Sequence, residues 1–139
     1  MGKIMQGARL RNAGDIYRAE SGDIPVDQIR EINPLELLVD TGAAMLCLPV
    51  DVIECLGLRP LHQRNVITAN GEVQRRVYSP ARVNIMDREA NLDVMELPLG
   101  TPPLLGYLPL EALDLYPNPQ ACKLEGNPKY DGKMVMDLL

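Results

Sequence analysis

A strongly apolar run at residues 35–49, LELLVDTGAAMLCLP, constrains this chain more than any other feature of the sequence. Its apolar residues are typical of a buried strand, but Asp40, Thr41 and Gly42 interrupt the run in its middle. An ionised carboxylate in an apolar interior is costly unless it is paired or hydrogen-bonded. We therefore expect Asp40 either to cap a turn or to take part in a reaction.

The residues around Asp40 suit a carboxylate that is held in a sharp turn. Gly42 lets the chain turn tightly and brings backbone N–H groups towards the carboxylate. The Thr41 hydroxyl can both donate and accept a hydrogen bond, and so could lock such a turn. A single carboxylate is a poor catalyst, whereas two that lie within about 3 Å of each other share a proton. The ionised member can then take a proton from water while the protonated member polarises a carbonyl group.

Composition limits the classes of fold and function. The 12 Pro and 11 Gly favour short strands and turns over a helical bundle, and the lack of Phe and Trp predicts an aliphatic core. With 139 residues, of which 46% are apolar and 24% charged, the chain fits one globular domain. The net charge of −5 argues against a nucleic-acid partner, and we interpret the arginines at 59, 64, 75 and 76 as a solvated surface. No apolar run approaches the length of about 18 residues that a membrane span needs.

The three cysteines predict a cellular setting. An odd number of cysteines at wide spacings cannot pair fully within one chain, and the amino end carries no apolar segment of the secretory type. We therefore expect a reducing, cytoplasmic location. Two other kinds of site are disfavoured. A cysteine nucleophile would need a histidine partner, and His62 is the only histidine in the sequence. A zinc site built from Cys47, Cys55 and His62 fits no known ligand spacing.

The patterns in the rest of the chain predict strands and two short helices. A helix at 49–56 begins at Pro49 and ends at Gly57, which favours a left-handed cap. Asn70-Gly71 between two strand-like arms is a strong hairpin pattern, and its polar tip should project from the domain. The other predicted elements are a strand at 3–10, an irregular connection at 12–28, strands at 29–39 and 44–48, a second hairpin around 87–90, a helix at 108–114 and a terminal strand at 133–139.

Three of these features, in this order, resemble the retropepsin-like aspartic proteases, the single-domain family of retroviral proteases and small bacterial relatives. They are the segment LVDTGA at 38–43, the Asn70-Gly71 hairpin, and Leu104-Leu105-Gly106 before the second helix. The resemblance covers about residues 30–118. It implies a mainly β, small closed β-barrel-like acid-protease fold with one or two short helices and a flap hairpin.

The resemblance also implies an activity and a site. The chain would be an aspartic endopeptidase that acts on protein or peptide substrates without metal or cofactor, with Asp40 as the catalytic residue. Thr41 and Gly42 would support the active-site turn. The substrate would be contacted by Ala43 and by the flap residues Thr68, Ala69, Asn70 and Gly71. We further expect apolar subsites at Val66, Ile67, Val73 and Ile85.

A dimer follows from the sequence as well as from the resemblance. The chain has one Asp-Thr-Gly and is too short for the two lobes of a pepsin-type protein, so a pair of carboxylates requires Asp40 from each of two chains. The apolar segments at 4–10 and 134–139 are candidate interface strands, although either could equally be an edge of the chain's own sheet. We accordingly divide the chain into an N-terminal strand and connection (1–28), a protease core (29–118) and a tail (119–139).

Two positions depart from the retroviral pattern. Retroviral members usually carry an Asp two residues after the motif glycine and an Arg directly after the second glycine, where this chain has Ala44 and Tyr107. These two residues pair in the retroviral members and help to hold the substrate backbone. Their joint loss slightly favours an alternative function, which is a catalytically silent dimeric peptide-binding or dimerisation module of the same fold.

Overall fold

Seven strands form one curved sheet in the computed structural model, which describes residues 2–136 and 138. The strands are β1 (Met5–Asn12), β2 (Glu31–Val39), β3 (Leu46–Pro49), β4 (Pro60–Thr68), β5 (Gly71–Ile85), β6 (Arg88–Leu97) and β7 (Leu104–Leu105). Three α-helices accompany them, α1 (Ala13–Glu20), α2 (Val50–Leu56) and α3 (Tyr107–Leu113), with short 3-10 turns at Val26–Gln28 and Pro128–Tyr130.

The sheet closes on itself because β5 is long enough to pair with two strands along one edge. The strand order is β1-β2-β7-β3-β6-β5-β4, and β1 also pairs with the second half of β5, from Arg9 opposite Asn84 to Asn12 opposite Ala81. The first half of β5 pairs with β4, and a register shift after Tyr78 separates the two halves. The result is a ring of strands from which the β4–β5 ribbon, residues 60–78, extends. This confirms the predicted mainly β acid-protease fold.

The interior of the ring is aliphatic, as the composition predicts. Leucines from the strands and helices are fully buried there, among them Leu10, Leu37, Leu46, Leu56 and Leu105. Burying one such side chain is worth about 1.5–3 kcal/mol, so this cluster fixes the positions of the strands around it. Both predicted helices end in left-handed caps, α2 at Gly57 with φ 63° and α3 at Asp114 with φ 51°.

The prediction of an irregular connection over residues 12–28 is wrong for its first half. Residues 13–20 form α1, which begins where the Asn12 side chain accepts a hydrogen bond from the Asp15 backbone N–H at 3.0 Å. Asp15 is buried and binds Arg30 through an ion pair of 2.8 Å. Helix propensity is weak here because of Gly14, so the cap and the ion pair, which joins residues far apart in the sequence, stabilise the helix.

The amino-terminal segment matches one of its two expected placements, whereas the carboxyl-terminal segment differs from the predicted strand. The residues at 4–10, one candidate interface segment, lie in the chain's own sheet, where β1 pairs with both β2 and β5. After α3 the chain forms a separate hairpin of β8 (Tyr116–Asn118) and β9 (Lys123–Glu125). The described part of the predicted terminal strand, residues 133–136 and 138, is not a strand, whereas Asp137 and Leu139 lie outside the described residues.

The buried Arg88 connects the tail to the ring. Its guanidinium donates hydrogen bonds to the carbonyl oxygens of Leu113, Asp114 and Gly132, and only 6% of the residue is exposed. The segment that follows α3 is therefore held against the start of β6.

Candidate active site

Asp40 lies where three strands meet. β7 inserts between β2 and β3, running parallel to β2 (Val39 opposite Leu105) and antiparallel to β3 (Leu46 opposite Leu105). Asp40 directly follows β2, and its backbone N–H donates to the Leu105 carbonyl at 3.0 Å. The chain then leaves the sheet through residues 40–45 before it re-enters as β3. The carboxylate is thus carried on a loop whose two ends are both fixed to β7.

The Asp40 turn has the geometry that the sequence predicts. The Gly42 backbone N–H donates to Oδ1 of Asp40 at 2.9 Å, and the Ala43 N–H donates to the Asp40 carbonyl at 3.1 Å. Asp40 itself is half-buried, which leaves the carboxylate partly open to solvent. Thr41 is exposed, and no hydrogen bond of its side chain is present within the described residues. Within one chain, therefore, the glycine rather than the threonine orients the carboxylate.

The second glycine of the pattern supports the Asp40 loop from below. Gly106 donates its backbone N–H to the Met45 carbonyl at 3.0 Å, and the two following N–H groups donate to the carbonyls of Ala43 and Ala44 at 2.9 and 3.0 Å. A Cβ atom at Gly106 would lie 2.6 Å from the carbonyl oxygens of Ala43 and Met45. Glycine is required here by the close approach of the two backbone segments. The backbone conformation does not require it, because a φ of −83° is accessible to any residue.

The two positions that depart from the retroviral pattern, Ala44 and Tyr107, each form a backbone hydrogen bond with a chain neighbour of the other. The Tyr107 N–H donates to Ala43, and the Leu108 N–H donates to Ala44. The loop and the start of α3 are joined at this point by main-chain hydrogen bonds rather than by a side-chain ion pair.

A cleft of about 1060 Å³ opens in front of Asp40. Gly42 and Ala43 line it beside the carboxylate, and Thr68 and Ala69 line it from the end of the β4–β5 ribbon. Its apolar part is formed by a small cluster that includes Cys47, Val77, Met95, Val66 and Leu104. The predicted site residues Thr41, Asn70 and Gly71 do not line the cleft of this single chain. Asn70 and Gly71 form the exposed tip of the ribbon, and Thr41 is exposed on the Asp40 loop.

The structure places only two of the four predicted subsite residues at the cleft. Val66 and Ile67 line the cleft, whereas Val73 does not. Ile85 is only 1% exposed and belongs to the main core, so its assignment to a subsite is wrong. Ile85 lies in the half of β5 that pairs with β1 and faces the inside of the ring, which local alternation could not reveal.

Polar residues that the sequence analysis did not assign to the site also line the cleft. They come from β4, β5 and β6 and are His62, Arg64, Arg75, Asp93 and Glu96. Glu96 is already engaged, because it accepts hydrogen bonds from the Arg76 N–H and the Tyr78 hydroxyl at 3.1 Å each. Two of the arginines that we interpreted as solvated surface therefore face the cleft, which only the pairing of β4 with β5 reveals.

Cys47 is unsuited to nucleophilic chemistry although it lies near Asp40. Burial, with the nearby Asp40 carboxylate as a second cause, raises the pKa of the Cys47 thiol to about 11. A nucleophilic cysteine needs the opposite shift, towards the thiolate. Within residues 2–136 and 138, no group of three His, Cys, Asp or Glu side chains is placed to hold a metal ion.

A protein-family model matches the part of the chain that carries this site. The model of the family described as "gag-polyprotein putative aspartyl protease" matches residues 28–111, which is more than half of the chain and runs from before β2 into α3, so that it includes the Asp40 loop and Gly106. The chain belongs to this family. The family assignment confirms the resemblance to retropepsin-like aspartic proteases that the three sequence features suggested. No curated protein sequence matches this chain.

The solved structure of one retroviral protease shares the fold of this family member, and a second is similar to it. EIAV protease, complexed with the inhibitor HBY-793, aligns with 81% of this chain and 88% of its own at 16% identity, with a TM-score of 0.55. Simian foamy virus (mac) protease aligns with 77% of this chain and 91% of its own at 20% identity, with a TM-score of 0.49. None of the helices in the described part of the chain is long and apolar enough to cross a membrane.

Proposed function

We propose that this family member is an aspartic endopeptidase that hydrolyses peptide bonds as a homodimer. The observation that carries the proposal is the Asp40 carboxylate at the end of a large cleft, oriented by the Gly42 N–H and fixed from below by Gly106. A carboxylate that only capped a turn would not need a cleft beside it or a second glycine that supports its loop.

The homodimer is part of the proposal because one chain supplies one suitable carboxylate. The sequence contains a single Asp-Thr-Gly, and no carboxyl group bonds to Asp40 within the described residues. Two copies related by a two-fold axis would place both Asp40 side chains together and join the two clefts into one groove. Two carboxylates at hydrogen-bonding distance cannot both ionise, so the pair holds one proton between them.

The proposed mechanism uses each of these parts. An extended peptide lies in the groove as an added strand, and residues 68–73 of each chain close over it. The ionised member of the Asp40 pair takes a proton from a water molecule, which attacks the scissile carbonyl carbon, while the protonated member donates to the carbonyl oxygen. The carboxyl group that took the proton from water then gives it to the amide nitrogen as the C–N bond breaks, and the other carboxylate takes back a proton from a hydroxyl group of the tetrahedral intermediate. Gly42 and Ala43 line the floor of the groove beside the reacting bond.

We also propose that the protein works in the cytoplasm. Its three cysteines are all free, with Cys47 buried and Cys55 and Cys122 exposed, which suits a reducing compartment.

The proposal is tested by comparing the wild type with Asp40→Asn on an unstructured protein substrate, from acidic to neutral pH and at several protein concentrations. We expect cleavage by the wild type, in proportion to the dimer population, and none by Asp40→Asn. Cleavage that survives Asp40→Asn would refute the assignment of Asp40, and a wild type that stays monomeric at tens of micromolar would refute the shared pair. A dimer that binds peptides without cleaving them would support the binding module.

A further inference from the structure

Two arginines lie directly opposite each other on the β4–β5 ribbon. In the register of this antiparallel pair, Arg64 is the partner of Arg75, between the pairs His62 with Val77 and Val66 with Val73. Side chains alternate between the two faces of such a ribbon, so all six residues share one face. On β5, Arg75 and Val77 line the cleft, whereas Gln74 and Arg76 on the opposite face do not and are exposed, so the face that carries Arg75 is turned towards the substrate groove. His62, Arg64 and Val66 of β4 line the cleft as well, and the neighbouring Asn65 and Ile67 also reach it.

Arg64 and Arg75 form no ion pair with an acidic side chain in the described part of the chain. Neither guanidinium enters an ion pair within 4.0 Å, although the acidic groups of Asp93 and Glu96 line the same cleft. Glu96 is engaged by the Arg76 backbone and Tyr78, and Asp93 is exposed. Like charges directly opposite each other on a sheet are unfavourable, and this protein has a net charge of −5, so the local excess of positive charge runs against its general character.

The chemistry of the pair indicates its ligand. A guanidinium binds a carboxylate through two parallel N–H···O bonds, and two guanidinium groups at one site would share a carboxylate or bind two. Val66, Val73 and Val77 flank the pair on the same face of the ribbon. The groove thus offers an extended peptide both apolar contacts and a strong preference for an acidic side chain at one position.

We propose that Arg64 and Arg75 form a subsite for an acidic side chain, so that the substrates of this protease are peptides with Asp or Glu near the scissile bond. The inference rests on the proposed function, since it names the substrate class of the same groove. Arg64 and Arg75 are specificity residues that lie on β4 and β5, outside the Asp40 loop, and they set which peptide is held rather than how the bond is broken.

The first test uses one cleaved peptide, identified by digestion of an unstructured protein, and a series in which each position in turn carries Glu or Gln. We expect kcat/KM to be about tenfold higher for Glu than for Gln at one or two positions, as a charge-assisted bidentate bond would give. This preference should decline as salt is raised. The double variant Arg64→Gln, Arg75→Gln should lose it. The matched control Arg76→Gln should keep it, because Arg76 lies opposite Gln63 on the other face of the ribbon.

A second test separates this inference from the proposed function. The affinity of Asp40→Asn for the fluorescently labelled Glu and Gln peptides is measured by anisotropy, where no cleavage is needed. Tighter binding of the Glu peptide that disappears in the triple variant with Arg64→Gln and Arg75→Gln supports the subsite, even if the wild type cleaves nothing. Equal binding and equal cleavage of the two peptides would overturn the inference, as would a Glu preference that survives loss of both arginines. Urea unfolding of each variant verifies that it is folded.

Discussion

The substitution Gly106→Ala tests whether the second glycine positions the catalytic loop. The added Cβ would lie 2.6 Å from the carbonyl oxygens of Ala43 and Met45, and 2.7 Å from the carbonyl carbon of Ala44. All three atoms belong to the backbone of the Asp40 loop, so no side chain can rotate away to make room. The loop itself must move away from α3.

The size of the effect follows from the contacts. An ordinary contact of 3.4 Å requires the loop to retreat by about 0.8 Å, which would stretch the three backbone hydrogen bonds that now measure 2.9–3.0 Å. Overpacking of this kind costs about 1–3 kcal/mol, and each weakened hydrogen bond up to about 1 kcal/mol. We expect a loss of about 2–4 kcal/mol in the free energy of unfolding. Cleavage should fall at least about a hundredfold, because a displacement near 1 Å misplaces the carboxylate.

The assay is urea unfolding at one fixed protein concentration, since dimerisation makes stability depend on concentration. Gly7→Ala is the matched control, because a Cβ there would meet the Glu36 carboxylate at 3.2 Å, on a side chain that can move, and the Pro34 Cβ at an ordinary contact distance of 3.9 Å. Its expected cost is below about 0.5 kcal/mol. A Gly106→Ala protein as stable and as active as the Gly7→Ala protein would refute the role assigned to the second glycine.

Three further predictions concern residues outside the cleavage chemistry. Arg88→Met should lower the free energy of unfolding by about 3 kcal/mol in urea denaturation, because three carbonyl groups lose a buried donor; a loss below 1 kcal/mol would contradict this. The guanidinium bound to Asp15 holds the pKa of that carboxyl below its usual range, so its stabilisation is present at neutral pH and is lost as the pH falls below about 4. Wild-type stability should therefore decline more steeply in acid than that of Asp15→Asn, and parallel curves would exclude the ion pair as the cause. In the native protein at pH 8, iodoacetamide should label the exposed Cys55 and Cys122 and spare Cys47, whose pKa is about 11, and rapid labelling of Cys47, read by mass spectrometry, would contradict its burial.

The sequence predicted the parts of the site that depend on short-range patterns. The run that ends at Asp40 and the Asn70-Gly71 turn are set by neighbouring residues, and both appear in the structure where the pattern places them. The cap at Gly57 is of the same kind, since a left-handed glycine after an apolar turn is a local feature.

The features that the sequence did not predict depend on contacts between distant residues. α1 is stabilised by the binding of Asp15 to Arg30, and Ile85 is buried because β1 closes the ring against β5. Arg64 and Arg75 face the cleft only because β4 and β5 pair in one register rather than the next. In each case the residue type is visible in the sequence, but its partner lies elsewhere in the chain.

The central claim is that two chains supply one active site, and mixing the wild type with Asp40→Asn tests it most directly. At a fixed total concentration, and after the chains have exchanged, random pairing makes the population of wild-type homodimers equal to the square of the wild-type fraction. An equal mixture should therefore retain about one quarter of the activity of the pure wild type. Activity that falls in direct proportion to the wild-type fraction, so that about half remains, would show that each chain works alone and would contradict the shared Asp40 pair.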